Sequence, residues 1–285
     1  MNGIRSAFEF YRLHVAIAAF FITLSINKTL NYSIGLRSAF AAGLLALAIY
    51  LFDRTSKSLE DQINEPAAHS HFSKWSPLLR WTLPTFLISF AVSLLSTSAA
   101  AVPSILVLVI VLFGALYASA PTKQLVGKGT IFKNLIPAAS WTLACVAIPA
   151  TLQQQTTSPS LTVCLIALFV FIAELQTEIF WDIRDRAGDQ LNGVKTLPLS
   201  IGVARAVQLA IFSAIAMGFI TSALILTQKL PSNLWVILPQ QLVTAYLFSG
   251  VNENTLKETV SRKSHELLWS HIGFAAIQVV YLEII

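Results

Sequence analysis

Long apolar runs separated by short polar stretches recur from one end of the chain to the other. Nine of them lie at about residues 12–31, 34–53, 78–96, 100–120, 132–152, 160–181, 203–227, 233–250 and 266–285. Each is close to the ~20 residues with which an α-helix crosses the hydrocarbon of a bilayer. The pattern predicts an all-α polytopic membrane protein, a single bundle of about nine transmembrane helices over residues 1–285. The first run follows Arg5, Glu9 and Arg12 with no small-residue cleavage site behind it, so it reads as a spanning helix rather than a removable signal peptide.

Composition agrees. The 285 residues are 55% hydrophobic and 12% charged, against roughly 25% charged in soluble domains. Lipid rather than water must face most of the surface. With nine spans, sixteen of the nineteen Lys and Arg fall on the side of the N-terminus, leaving Lys28, Arg37 and Lys229 opposite. That asymmetry places the 53–77 and 182–202 connections in the cytoplasm. It also accounts for the net charge of +5 without a nucleic-acid partner, and no obligate protein partner is evident. Cys145 and Cys164 lie inside spans without spacing partners and read as buried small apolar residues.

The sixth run ends in Glu174-Leu-Gln-Thr-Glu178-Ile-Phe-Trp-Asp182-Ile-Arg-Asp185-Arg-Ala-Gly-Asp189. On a helix, Glu178, Asp182, Asp185 and Asp189 lie at about 40°, 80°, 20° and 60° from Glu174. Five like charges on one face repel each other, and at bilayer depth they are also costly to desolvate. Mg²⁺, which takes carboxylate oxygens and completes its shell with phosphate, gives them a purpose. A solvated helix end would explain Asp189 and Asp185, but not Glu174 and Glu178 inside an apolar run. The next stretch, with Gly193, Lys195, Pro198 and Gly202, breaks the helix and suits a mobile loop over a reactive site.

This segment, with Thr196-Leu-Pro198 and Gly202 behind it, resembles the second aspartate-rich motif of the UbiA prenyltransferase superfamily. Nine helices with long loops after the second and sixth spans resemble that family's layout. The family's first motif, Asn-x-x-x-Asp-x-x-x-Asp followed by Asn-Glu-Pro, is altered here. Asp53 and Asn64-Glu65-Pro66 match, but Ile49 and Lys57 replace the asparagine and the second acid. Measured from Asp53, Glu60 and Asp61 fall about 20° and 80° away on a helix, so either is a candidate to join Asp53 in a metal site. The sequence therefore resembles a divergent branch of the superfamily.

The resemblance implies Asp53, Asp182, Asp185 and Asp189 as metal ligands, with Asp53, Asp182, Asp185 and Lys123 catalytic, and helix geometry adds Glu60 or Asp61 as a metal ligand beside Asp53. Tyr117-x-x-x-Pro121-x-Lys123 resembles a further family pattern. Lys123 and Lys133 are candidates to draw off the charge of a departing diphosphate. Tyr50, Arg54, Tyr117, Lys133, Glu178 and Lys195 are the candidate substrate contacts. Trp141, Phe180 and Tyr50 are candidates to shelter an allylic cation by cation–π attraction. His14, His69, His71, His265 and His271 form no ligand pattern and read mostly as loop or helix-end residues. Gln240 and Gln241 are candidates for hydrogen bonds between helices.

The expected activity is Mg²⁺-dependent transfer of an isoprenyl group from an isoprenyl diphosphate to a lipophilic acceptor, within membrane lipid and with its active side in the cytoplasm. The rivals are an intramembrane terpene cyclase of the same superfamily and an ion-coupled transporter, since intramembrane carboxylates also mark ion pathways.

Overall fold

The computed structural model describes residues 7–55, 59–96, 101–118, 132–153 and 160–284. Among the described residues, nine helical segments follow the nine apolar runs in order. They are α1 (Leu13–Thr29), α2 (Gly35–Thr55), α3 (Pro77–Leu95), α4 (Ala101–Ala118), α5 (Phe132–Gln153), α6 (Leu161–Leu191), α7 (Val203–Leu226), α8 (Ile237–Ser249) and α9 (Lys257–Ile284). Helices α2, α3, α5, α6, α7 and α9 are long and apolar enough to cross a membrane by themselves, and α1 and α4 are shorter apolar helices. A 3₁₀ turn, Ser232–Val236, leads directly into α8. No strand occurs among the described residues.

Helix α1 packs on α2 and α9, α2 also on α3 and α4, α5 on α4 and α6, and α9 on α6 and α8. This closes a ring around an interior. Small residues make the tightest seams. A Cβ added at Gly43 of α2 would stand 3.0 Å from the Ala16 carbonyl oxygen of α1, and Ala18, Ala19, Ala39 and Ala42 are buried along the same contact. Without a hydrophobic drive between helices in lipid, such backbone approach supplies the packing energy. Phe86, Phe90, Ile105, Leu108, Phe212 and Phe219 are exposed on α3, α4 and α7. This apolar outer surface is what a bilayer requires.

Helix α5 is not regular. Pro149 has no N–H to give to the carbonyl of Cys145, and the chain takes a π turn, Leu143–Ala147, just before it. The connection after α2 carries two short helices, Leu59–Asn64 and Pro66–Phe72, and the first of them packs against α6. The two long polar connections therefore meet at one end of the bundle. At the other end Lys28 of α1 pairs with Glu283 of α9.

Two expectations are corrected. Cys164 is exposed on the outer face of α6, because it stands on the side of the helix turned from the bundle; Cys145 is buried as expected. His271 is buried in the middle of α9 rather than at a helix end, and His14, in the first turn of α1, is buried with its Nε2 3.1 Å from His265 Nδ1 across α1 and α9.

Candidate active site

Helix α6 runs unbroken through its acids, and its two faces differ. Ile179, Phe180 and Ile183 join Val203, Ala206, Leu247 and Phe248 in an apolar cluster with α7 and α8. The opposite face turns Glu178, Asp182, Asp185 and Asp189 into a cavity of about 1100 Å³, counting its open mouth. The packed face leaves the acids nowhere else to go. Asp182 and Asp189 are each 1% exposed, so both carboxylates are almost fully withdrawn from solvent.

Across the cavity stand Tyr50, Asp53 and Arg54 from the last turns of α2, and Tyr117 from the end of α4. Gly114 on α4 lets that helix come close: a Cβ there would lie 2.9 Å from Ile49 Cγ2. Lys133 enters from the first turn of α5, with its Nζ 3.0 Å from Asp182 Oδ1 and 2.9 Å from Asp189 Oδ2. Its neighbour Asn134 donates from Nδ2 to Asp182 Oδ2 at 2.8 Å. Deeper in, the wall becomes apolar and aromatic, with Ala42, Leu45, Ile110, Trp141 and Cys145. One end of the cavity is thus charged and the other greasy.

Beside the acids lies a cluster in which the expected Arg54 and Asp185 meet the unexpected Arg12, Glu65 and Arg184. Glu65 receives Arg12 at 2.9 Å and Arg184 at 3.3 Å, and Arg54 on its other oxygen. Burial alone would raise the Glu65 carboxyl, but Arg12, Arg184 and Arg54 together hold it well below the usual carboxylate range. Arg184 also forks onto Asp185, Nε to Oδ1 at 2.7 Å, and Arg12 and Arg184 lie over the Trp181 ring. Arg12 Nη1 and Arg54 Nε are buried with no hydrogen-bond partner among the described residues. All these groups line the same cavity. Three guanidiniums around one carboxylate leave positive charge and open donors for a further anion.

The backbone that holds Glu65 is itself held. Gly188 N–H donates to Asn64 Oδ1 at 3.1 Å, and Lys257 donates to the Asn64 carbonyl at 2.6 Å. A Cβ at Gly188 would fall 2.5 Å from Asn64 Nδ2. The glycine in the Arg-Ala-Gly-Asp stretch is therefore there for close approach, so that the Asn64-Glu65-Pro66 turn can dock on α6.

Of the residues singled out from sequence, Tyr50, Asp53, Arg54, Tyr117, Lys133, Glu178, Asp182, Asp185 and Asp189 come together. Lys195 does not: it is exposed in the turn before the short helix Leu197–Ile201 and lies outside the cavity lining. Phe180 is on the far side of α6, stacked on Phe248 at 3.8 Å between centroids; Trp141 and Tyr50 do face the cavity. The side chains of Glu60 and Asp61, and Lys123 with Pro121, lie outside the described residues. Among the described residues, no three His, Cys, Asp or Glu close into a ready-made metal cluster; Lys133 stands between the two most buried aspartates.

Arg12, Asn64, Glu65, Asn134 and Arg184 were not among the expected site residues. Asn64-Glu65-Pro66 was visible as a motif but had no role. Arg12 had no local signal at all, since it meets Glu65 across 53 residues of chain.

The sequence profile of the UbiA prenyltransferase family matches residues 76–270. No curated relative matches the chain by sequence. Among solved structures, a UbiA homolog from Archaeoglobus fulgidus bound to GPP and Mg²⁺ superposes with a TM-score of 0.65 at 12% identity, covering 96% of this chain and 99% of that one. The same homolog bound to DMAPP and Mg²⁺ gives 0.61 at 12% identity, covering 95% and 99%. Digeranylgeranylglyceryl phosphate synthase gives 0.60 at 18% identity, covering 96% and 99%. At these identities the likeness is one of fold.

Proposed function

The chain belongs to the UbiA prenyltransferase family, and from that premise we propose that it transfers an isoprenyl group from an isoprenyl diphosphate to a lipophilic acceptor, releasing pyrophosphate. The observation that carries the reading is the meeting of the α6 acid face, Asp53 of α2 and Lys133 of α5 at the charged end of one cavity whose other end is apolar and aromatic.

Mg²⁺ fits this wall. The donors offered by Asp53, Asp182, Asp185 and Asp189 are all hard carboxylate oxygens, and Asn134 Oδ1 beside Asp182 is buried without a partner among the described residues. When bound, the ion neutralises diphosphate oxygens and so makes pyrophosphate a better leaving group. The altered first motif keeps Asp53 in this wall, and Glu60 and Asp61 stay candidates for the same set.

The rest falls to the chain's own residues. Lys133, with Arg54 and Arg12 at the same mouth, holds the diphosphate and stabilises the negative charge that grows on it as the C1–O bond breaks. The electron pair leaves with the diphosphate oxygen, and an allylic cation remains at C1. Trp141, Tyr50 and Trp181 present aromatic rings to that cation. The isoprenyl tail lies along Ala42, Leu45 and Ile110, where water, which would quench the cation, is excluded. The acceptor's electron pair forms the new bond to C1, and the acceptor gives up its proton. Glu178, one turn above Asp182 and 2% exposed, is the carboxylate placed to take it. The active end faces the cytoplasm, following the distribution of lysines and arginines.

The test is pyrophosphate release from farnesyl or geranylgeranyl diphosphate by purified protein. It would be run with and without EDTA, with glycerophosphate lipids or quinone precursors as acceptors, beside Asp182→Asn. Release that needs Mg²⁺ and acceptor and is lost in the variant supports transfer. Release without acceptor, giving cyclic products, would favour cyclisation. Silence with every acceptor, together with ion flux in proteoliposomes, would overturn the enzyme reading.

A further inference from the structure

The acid face of α6 does not end at Glu178. One turn further from the diphosphate end, Glu174 lines a different cavity, of about 740 Å³ counting its mouth. The two cavities share the side chain of Trp141, which stands between them. The second cavity reaches towards the opposite end of the bundle. It is walled by apolar residues such as Ile22, Ile26, Phe169 and Met217, and has a few polar groups.

Some of those polar groups are already satisfied. Ser25 donates to Gln278 Oε1 at 2.7 Å, and Gln278 Nε2 donates to Thr29 Oγ1 at 2.9 Å and to the Asn233 carbonyl at 3.1 Å. Two are not. Glu174 Oε1 and His271 Nε2 are buried with no hydrogen-bond partner among the described residues, and their residues are 5% and 4% exposed. Buried polar atoms are nearly always paired, so two on the wall of one apolar cavity ask for a ligand. A concave, mostly apolar site with a few convergent polar groups is the usual form of a small-molecule pocket.

The chemistry narrows the ligand. Each of these atoms donates or accepts according to whether it carries a proton. With one of the two protonated and the other not, a hydroxyl, which donates and accepts at once, satisfies both atoms, whereas a carbonyl only accepts. We propose that the second cavity binds a lipophilic alcohol or phenol, with its hydroxyl held by Glu174 and His271 and its apolar body against α1, α6 and α7. The site is separate from the diphosphate cavity and does not depend on prenyl transfer.

The experiment uses the full chain in lipid nanodiscs and tritiated 2-naphthol as probe, with empty nanodiscs subtracted. One saturable site per chain is expected, with naphthalene, which lacks the hydroxyl, competing at least about tenfold less well, as loss of one good hydrogen bond requires. Glu174→Leu and His271→Leu should each weaken binding at least about tenfold, and Glu174→Gln, which keeps an oxygen of the same reach, by no more than about threefold. Ala173→Phe, which fills the cavity, should abolish it. Asp182→Asn and excess pyrophosphate with Mg²⁺ should leave it unchanged. Equal competition by naphthalene, no saturable site, wild-type binding in both leucine variants or displacement by pyrophosphate would overturn the proposal. The comparison of naphthalene with 2-naphthol on the wild type decides the matter even where a leucine variant does not fold.

Discussion

Gly188→Ala is a one-carbon change that touches no charge, yet the structure predicts that it loosens the charged mouth. On an isolated helix the change would stabilise, by about 1 kcal/mol, because alanine is the better helix former. Here the new Cβ would stand 2.5–2.7 Å from the amide atoms of Asn64, whose residue is 6% exposed and has little room to turn. Displacing that side chain loses the Gly188–Asn64 hydrogen bond, about 1 kcal/mol. Overpacking adds about 1–3 kcal/mol. The net is destabilisation by about 1–3 kcal/mol, or a few degrees in apparent Tm. Asn64 precedes Glu65, so the shift also disturbs the anchor of three arginines, and the KM for diphosphate should rise. The assay is thermal unfolding in detergent with substrate kinetics, run as a cycle with Asn64→Ala. In the Asn64→Ala background the clash is gone, and Gly188→Ala should become neutral or stabilising. A Gly188→Ala protein that melts at or above wild type, or a penalty that survives in the Asn64→Ala background, would refute the reasoning.

Glu65→Gln leaves three guanidiniums without their carboxylate; at 22% side-chain exposure the cost is about 2 kcal/mol, below that of a fully buried pair, and is read as a loss of apparent Tm. Because the folded Glu65 carboxyl is held below the ordinary glutamate value of 4.5, its stabilisation is complete above that pH and fades as the pH falls below it. Acid unfolding of Glu65→Gln should therefore be less steep below about pH 4.5 than that of wild type. Lys133→Met removes the cation between Asp182 and Asp189 and should lower kcat for pyrophosphate release by about 10²–10³; a rate within a few fold of wild type in a folded variant would remove Lys133 from the mechanism. Phe180→Ala, on the packed face of α6, should cost about 3–5 kcal/mol of stability, measured by denaturation in mixed micelles, with little change in the KM of whatever protein stays folded.

Much of this was legible in the chain itself. Among the described residues, nine apolar runs became nine helical segments because a span must satisfy its backbone within itself, which ties length and hydropathy directly to structure. The acid arc of α6 was legible for the same reason: residues four apart on a helix share a face wherever the helix is placed. Tertiary structure decided what local periodicity does not encode. It put Phe180 against Phe248 rather than beside an allylic cation, left Lys195 outside the cavity, and divided Glu174 from Glu178 by the Trp141 side chain, so that one acid face serves two cavities. It also brought Arg12, Arg54 and Arg184 from three segments onto the Glu65 carboxylate. Such ion pairs form only once the ring of helices has closed, because their partners are joined by packing and not by spacing along the chain.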